Sequence, residues 1–448
     1  MKQKQKTVFL CESCAYQSLK WLGCCPGCNT WNSFLQQQEP VVTANISGGK
    51  KISMHALDAI TATPKSRIFT GIQEWDRVMG GGIVPGSLIV LTGDPGIGKS
   101  TLLLHVCHAL AQKQTVYYFS TEESLDQVKQ RALRLGMQNK GLFLSDRTDL
   151  TDIFSTIEQD KPQVVVLDSI QNGSIGSGAH APGSIGLMKE ATFQLMRIAK
   201  EHGIAILITS HITKEGIIAG PKTVEHMVDA VFYLHAEDRW QTRLLRAVKN
   251  RFGTINELGF FDMTGHGLVE VTNINEQFIA QMTTAPGSAL ISSIEGSRPL
   301  LLEIQSLVIA SKLNMPQRVI SGLDHKQVVL ISAILEKYLH AKLSTHDIFV
   351  KVSNGIKLKG SAADLGIALS LLSSYFQQPL PEKTLILGEI SLTGHIKPIN
   401  QIGILIKEAQ KFGIEQIIVS KQQSIENGSK RIKYFSHVYE LLTLFPNT

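Results

Sequence analysis

The chain has 448 residues, 43% of them hydrophobic and 18% charged, with a formal net charge of +6. That is the balance of an ordinary globular protein long enough for two or three domains, and its charge is compatible with nucleic acid without requiring it. No apolar stretch approaches the length of a membrane span, and Met1-Lys2-Gln3-Lys4 leads into no signal-type apolar segment; no membrane partner is expected, and the expected compartment is the cytoplasm.

Five of the six cysteines fall between Cys11 and Cys28. Cys11-x-x-Cys14, ten residues, then Cys25-x-x-Cys28 makes two knuckles able to set four thiolates tetrahedrally around Zn²⁺. Ser13 in the first knuckle, and Pro26 and Gly27 in the second, suit the tight turns this requires. Four cysteine ligands leave no open coordination position, so the zinc is expected to hold structure. Cys24 adjoins Cys25 and competes with it on paper; Cys25 is preferred because it keeps the x-x spacing to Cys28. The module is expected over 8–34, followed by a linker over 35–66, since Gln36 to Lys51 is polar and aperiodic.

An apolar run from Ser87 to Thr92 reads as a buried strand. It enters Gly93-Asp94-Pro95-Gly96-Ile97-Gly98-Lys99-Ser100, a complete G-x-x-x-x-G-K-S phosphate-binding loop, and Thr101-Leu102-Leu103-Leu104 then begins an amphipathic helix. Glycines let the backbone N–H groups close around phosphates, and the helix N-terminus adds partial positive charge. Lys99 is expected on the β/γ-phosphates and the Ser100 hydroxyl on Mg²⁺. The segment therefore predicts a nucleoside triphosphate site.

From about Ile68 to Val271 apolar strands alternate with helical patterns, which predicts an α/β domain over 67–274 with a mainly parallel sheet. Val164-Val165-Val166-Leu167-Asp168 ends in an aspartate as a Walker B strand does, so Asp168 is expected to hold Mg²⁺ through water or Ser100. Strand Thr115–Ser120 runs into Thr121-Glu122-Glu123-Ser124, where a strand-end carboxylate is placed to polarise the attacking water. Surface solvation is the alternative for either glutamate, and the preferred reading for Glu123.

The order of phosphate loop, Glu122 and Asp168 resembles the RecA-type ATPase core. Thr213-Lys214-Glu215-Gly216, Ala219-Gly220-Pro221 with Glu225-His226-Met227-Val228-Asp229, and Lys249-Asn250-Arg251-Phe252-Gly253 narrow the likeness. With the four-cysteine module, these runs resemble the bacterial RadA (Sms) DNA-repair family over nearly the whole chain. The resemblance implies ATP as the nucleotide and Glu122 as the catalytic glutamate. It implies that Ser210-His211 senses the γ-phosphate, and that Lys249 and Arg251 reach the nucleotide of a neighbouring subunit. Without the family, these two cations bind phosphate or face solvent. It further implies a homohexameric ring working on single-stranded and branched DNA beside a RecA-type recombinase. The channel loops would be Asn172 to Ile185 and Ile212 to Lys222; neither holds the aromatic residues that make single-strand binding plain from sequence.

Gln281 to Gly287 reads as a hinge, and 286–448 as a further domain of α and β elements. Glu295-Gly296-Ser297-Arg298-Pro299, Ala362-Ala363-Asp364-Leu365 and Gly388-Glu389-Ile390-Ser391-Leu392-Thr393-Gly394 resemble the Lon-protease-like domain of the same family. Proteolysis is the rival function this raises. Ala362 stands at the nucleophile's place and the general-base lysine falls near Gly403, so acyl transfer lacks both agents. The expected fold is a RecA-like α/β core flanked by a zinc module and a non-proteolytic α+β domain. A RecA-like signalling ATPase with no DNA partner is the remaining alternative. Gly360-Ser361, His395 and Ser210 depart from the residues common in relatives; none touches the phosphate loop.

Overall fold

A computed structural model describes residues 6–11, 16–26, 30–39, 54, 56–59, 66–138, 140–175, 183–211, 222–236, 242–313, 315–358, 360–425 and 431–446. The chain separates into two compact units, one through Glu270 and one from Val271.

The first unit opens with a small sheet in which β1 (Lys6–Cys11) lies between β2 (Gln17–Ser18) and β3 (Phe34–Glu39). Residues 35–39, expected as linker, are strand. Their backbone pairs with β1 from Leu10↔Leu35 to Lys6↔Glu39, and a ladder needs no apolar side chains to form.

Next come α1 (Gln73–Val78), β4 (Leu88–Gly93), α2 (Lys99–Leu110), β5 (Val116–Ser120), α3 (Leu125–Arg134), β6 (Leu142–Ser145), α4 (Leu150–Asp160) and β7 (Val164–Asp168). They are followed by α5 (Ile185–His202), β8 (Ala205–His211), α6 (Lys222–Met227), β9 (Ala230–Ala236), β10 (Thr242–Asn250), β11 (Leu258–Thr264) and β12 (Gly267–Glu270). The nine strands from β4 to β12 form one sheet in the order β12-β11-β10-β9-β4-β8-β7-β5-β6, parallel from β9 to β6 and antiparallel beyond β9. Every residue of β4 and β7 is buried, as in a sheet covered on both faces. Alternate residues serve the two cores: Ile89 and Leu91 join one with α2, Leu88 and Val90 the other with α5.

In the second unit α7 (Ile274–Ala280) precedes β13 (Ser288–Glu295), β14 (Arg298–Ala310), β15 (Arg318–Ser321), α8 (His325–Leu339), β16 (His346–Val352) and α9 (Asp364–Phe376). Then come β17 (Thr384–Ile386), β18 (Glu389–Ile390), β19 (Ile396–Lys397), α10 (Ile402–Lys411), β20 (Gln416–Ser420) and β21 (Arg431–Phe435). Seven strands make a mixed sheet in the order β15-β16-β14-β13-β17-β20-β21. Leu301 of β14 packs with Leu405 and Ile406 of α10, while Ser306, of opposite parity, meets Ser370 of α9 at 2.7 Å. Helices therefore cover both faces. The expected hinge at 281–287 lies inside this unit, because α7 is already part of it. Asn275, 2% exposed, donates to Pro299 O and Glu408 and accepts from the Leu301 N–H. Among the described residues no helix is long and apolar enough to cross a membrane.

Candidate active site

Four neighbouring parallel strands bring their carboxyl ends together. Ser120 of β5 is level with Asp168 of β7, Leu167 with Ile208 of β8, and Gly93 of β4 with His211. In such a sheet the ligand crevice lies beyond these ends. β4 runs into the phosphate loop, where Asp94, Pro95 and Gly96 are exposed and Ile97 turns inward. Gly98 begins α2 at φ 113°, and a Cβ there would stand 2.9 Å from Met263 Cε and 3.1 Å from Leu268 Cδ1. Only glycine fits. Ser100 and Thr101 follow in the first turn, half-buried.

Lys99 is 5% exposed, and its ammonium donates to Gly93 O at 2.9 Å and Asp94 O at 3.0 Å. Burial lowers its pKa; the charges of Asp168, Glu122 and Asp94 oppose that and favour the ammonium. Asp168 and Glu122 thus both act electrostatically on Lys99.

Asp168 is 5% exposed and both of its oxygens accept hydrogen bonds, Oδ2 from the Tyr118 hydroxyl at 2.6 Å and Oδ1 from Thr209 at 2.6 Å. Burial, then the Asp168 charge, pushes the Tyr118 phenol well above its ordinary range, which keeps it a donor. The ends of β5 and β7 are laced together: Thr121 N–H donates to Asp168 O at 2.8 Å, the Thr121 hydroxyl to Ser169 O at 2.6 Å, and Ser169 N–H to Thr121 Oγ1 at 3.0 Å. Ser169 Oγ then donates to Glu122 Oε1 at 2.6 Å. Glu123, read as a solvated carboxylate, is ion-paired with Arg131 of α3. Tyr118, Thr209 and Ser169 are absent from the sequence reading.

Oxygen donors alone, Ser100 and Asp168, are the ligand chemistry a hard cation such as Mg²⁺ takes. Ser210 is buried and its hydroxyl accepts from Gln171 Nε2 at 3.3 Å. Of the expected channel loops, 176–182 and 212–221 lie outside the described residues, while Ser174 is tied to the start of α4 through Thr148 O at 2.9 Å.

Lys249 and Arg251 are elsewhere. The Lys249 ammonium donates to Glu225 O at 2.6 Å, Val228 O at 2.7 Å and His226 O at 3.2 Å, at the carbonyl end of α6. Burial and the Arg251 charge lower its pKa. Arg251 stands 3.4 Å from Asp229, and its side chain is 57% exposed. Asp229 also binds Lys200 at 2.8 Å and accepts from the Leu88 N–H at 3.1 Å. Both cations therefore lie at the amino end of β4, roughly 17 Å of strand from the phosphate loop at its other end.

In the cysteine module Cys11 and Cys25, 1% and 0% exposed, share a cluster with Phe34. Cys24 is half-buried and its backbone bridges Trp31. Two buried thiols in so small a module suit a thiolate-bound metal better than an apolar core, and they favour Cys25 over Cys24. Cys14 and Cys28 lie outside the described residues. In the second unit Ser361 Oγ, next to Ala362, is committed to Glu389 at 2.8 Å. Gly403 lies in the first turn of α10, with nothing within 4 Å of where a Cβ would project.

A glycine-rich loop on the central parallel strand, a buried aspartate two strands away and a strand-end glutamate beyond it define a RecA-like P-loop ATPase. Protein-family models match residues 9–36 (rubredoxin metal binding domain), 56–216 (AAA domain) and 312–423 (subunit ChlI of Mg-chelatase). DNA repair protein RadA of Halalkalibacterium halodurans is 42% identical over 423 residues, covering 93% of each chain. The RadA proteins of Bacillus subtilis and Listeria monocytogenes are 42% identical over 424 and 425 residues, covering 93% and 94% of this chain and 93% of their own. The chain belongs to the RadA family of DNA repair proteins. Its RecA-like core carries an N-terminal zinc-ribbon module and a C-terminal Lon-protease-like α+β domain.

Proposed function

We propose that this protein is a ring-forming, DNA-dependent ATPase of recombinational repair that moves along single-stranded DNA and extends or migrates branched intermediates. The observation that carries the ATPase reading is the convergence of Lys99, Glu122 and Asp168 at the ends of β4, β5 and β7. In this reading the loop Gly93–Thr101 receives the phosphates of ATP on its N–H groups, and Lys99 leaves its loop carbonyls for the β/γ-phosphates. Ser100 and Asp168 would hold Mg²⁺, which would supply positive charge against that of the phosphates. Glu122 orients the attacking water and accepts its proton. Arg251 reaches into the next subunit's site and stabilises charge on the transferring phosphoryl group. Lys249 joins it only by leaving the carbonyl end of α6.

Cys11, Cys14, Cys25 and Cys28 hold a structural zinc. The Lon-like domain forms the collar of a homohexamer and is not a protease, since Ala362 and Gly403 supply neither hydroxyl nor amine. The protein works in the cytoplasm beside a RecA-type recombinase; the RadA name of its relatives supports the repair setting.

The test is ATP hydrolysis with and without single-stranded DNA at two salt concentrations, wild type beside Lys99→Ala. Stimulation that weakens with salt and is lost in the variant is the expected result. A DNA-indifferent rate in assembled protein would turn the reading towards a signalling ATPase.

A further inference from the structure

Glu122 is exposed just past the end of β5, at the start of a turn, where a surface carboxylate ordinarily samples several rotamers. A buried hydroxyl restricts it. Ser169, 0% exposed and directly after Asp168, donates its hydroxyl to Glu122 Oε1 at 2.6 Å. Ser169 is itself fixed, since its N–H and C=O both pair with the Thr121 hydroxyl, and the Thr121 N–H is held by Asp168 O. Backbone and carboxylate of the Thr121-Glu122 step are thus anchored to Asp168 at the end of β7 and to Ser169 directly after it.

We propose that Ser169 is a positioning residue for hydrolysis, aiming the Glu122 carboxylate at the water that attacks the γ-phosphate while Asp168 serves the metal. This rests on the reading of Glu122 as general base. Ser169 acts through Glu122, the carboxylate its hydroxyl donates to. Its hydroxyl also favours the ionised carboxylate, the form a base requires. Lys99 acts on the same carboxylate with or without the serine, so its effect cancels in a comparison of variants.

The experiment compares wild type, Ser169→Ala, Ser169→Cys, Glu122→Gln and Ser169→Ala/Glu122→Gln as full chains in the presence of single-stranded DNA. Ser169→Ala removes one oxygen and leaves Glu122 accessible to water, and the weaker thiol donor of Ser169→Cys gives a second, nearly isosteric variant. Expected for Ser169→Ala is a fall in kcat of about tenfold, with KM and nucleotide affinity within about twofold. The acid limb of its kcat profile should move to higher pH, because loss of the donor makes Glu122 easier to protonate. Ser169→Cys should fall between. In the Glu122→Gln background, with residual hydrolysis followed by single turnover, the serine should no longer matter. Unchanged kcat in Ser169→Ala, or an equal loss in both backgrounds, overturns the positioning role and leaves Glu122 standing as base. Full hydrolysis by Glu122→Gln overturns both.

Discussion

Asp168 is buried, and each of its oxygens accepts a hydrogen bond from a neutral hydroxyl, Oδ2 from Tyr118 and Oδ1 from Thr209. Hydrogen bonds to an ionised acceptor are worth about 1.5–3 kcal/mol, and removing one leaves a buried oxygen without its donor. Tyr118→Phe and Thr209→Val should therefore each lower stability by about 1–2 kcal/mol and weaken Mg²⁺-dependent nucleotide binding; urea unfolding and titration with a fluorescent nucleotide read the two effects separately. Asp364 has the opposite balance. Burial pushes its carboxyl up to about 6, against the hydrogen bonds from Gln327 and the Ile390 N–H. An unfolded aspartate ionises near about 3.9, so between those values the folded state keeps a proton that the unfolded state has lost. Stability then falls as pH rises through that window and stays reduced above it. Asp364→Asn removes this cost, and at pH 8 calorimetry should find the variant more stable by on the order of 1–3 kcal/mol, the difference closing below pH 4. The phosphate loop was legible because its residues are contiguous and its glycines are dictated by geometry. Tyr118, Ser169 and Thr209 were not, because each meets its partner across 50, 47 and 41 residues and only the strand order makes them neighbours.

At the scale of elements, pattern and pairing part company at two places. Residues 35–39, polar after Leu35, gave no strand signal, yet β1 supplies a ladder for them. The sequence pattern ends the ATPase domain at 274 and begins the next at 286, leaving the residues of α7 between them, but Asn275 joins this helix to β14 and α10. A fragment beginning at Val271 should accordingly be more stable than one beginning at Pro286, which lacks α7; the comparison is a urea titration followed by far-ultraviolet circular dichroism. If the shorter fragment is equally stable, α7 is not part of the second unit's core. In the cysteine module the spacing was legible, and the deeper burial of Cys25 favours it over Cys24. Purified Cys24→Ser should retain one zinc per chain and Cys25→Ser should lose it, as read by metal analysis without chelator.

For the whole molecule, the consequential feature is where Lys249 and Arg251 are not. The sequence placed them in a subunit-bridging run by resemblance alone, and no spacing rule relates residue 251 to residue 99. The sheet does: Arg251 pairs with Asp229 at the start of β4, and the phosphate loop hangs from its other end. A side chain cannot cover that length, so Arg251 serves another subunit's nucleotide or none. Lys249 differs, since its three donors are spent on the carbonyl end of α6, where a cation also meets the helix dipole. Arg251→Ala should lose hydrolysis while binding nucleotide normally; Lys249→Ala should do the same and also loosen α6, visible as faster amide exchange there. Co-assembling Arg251→Ala with Lys99→Ala separates the two roles of the arginine. Each variant alone has no complete site, but a mixed ring places an intact phosphate loop beside an intact arginine at about one interface in four, because head-to-tail contacts join unlike faces. Hydrolysis should return to about a quarter of wild type. If the mixture stays as inactive as its parts while exchange of subunits is demonstrated, Arg251 does not act across the interface, and the ring is not what makes this ATPase complete.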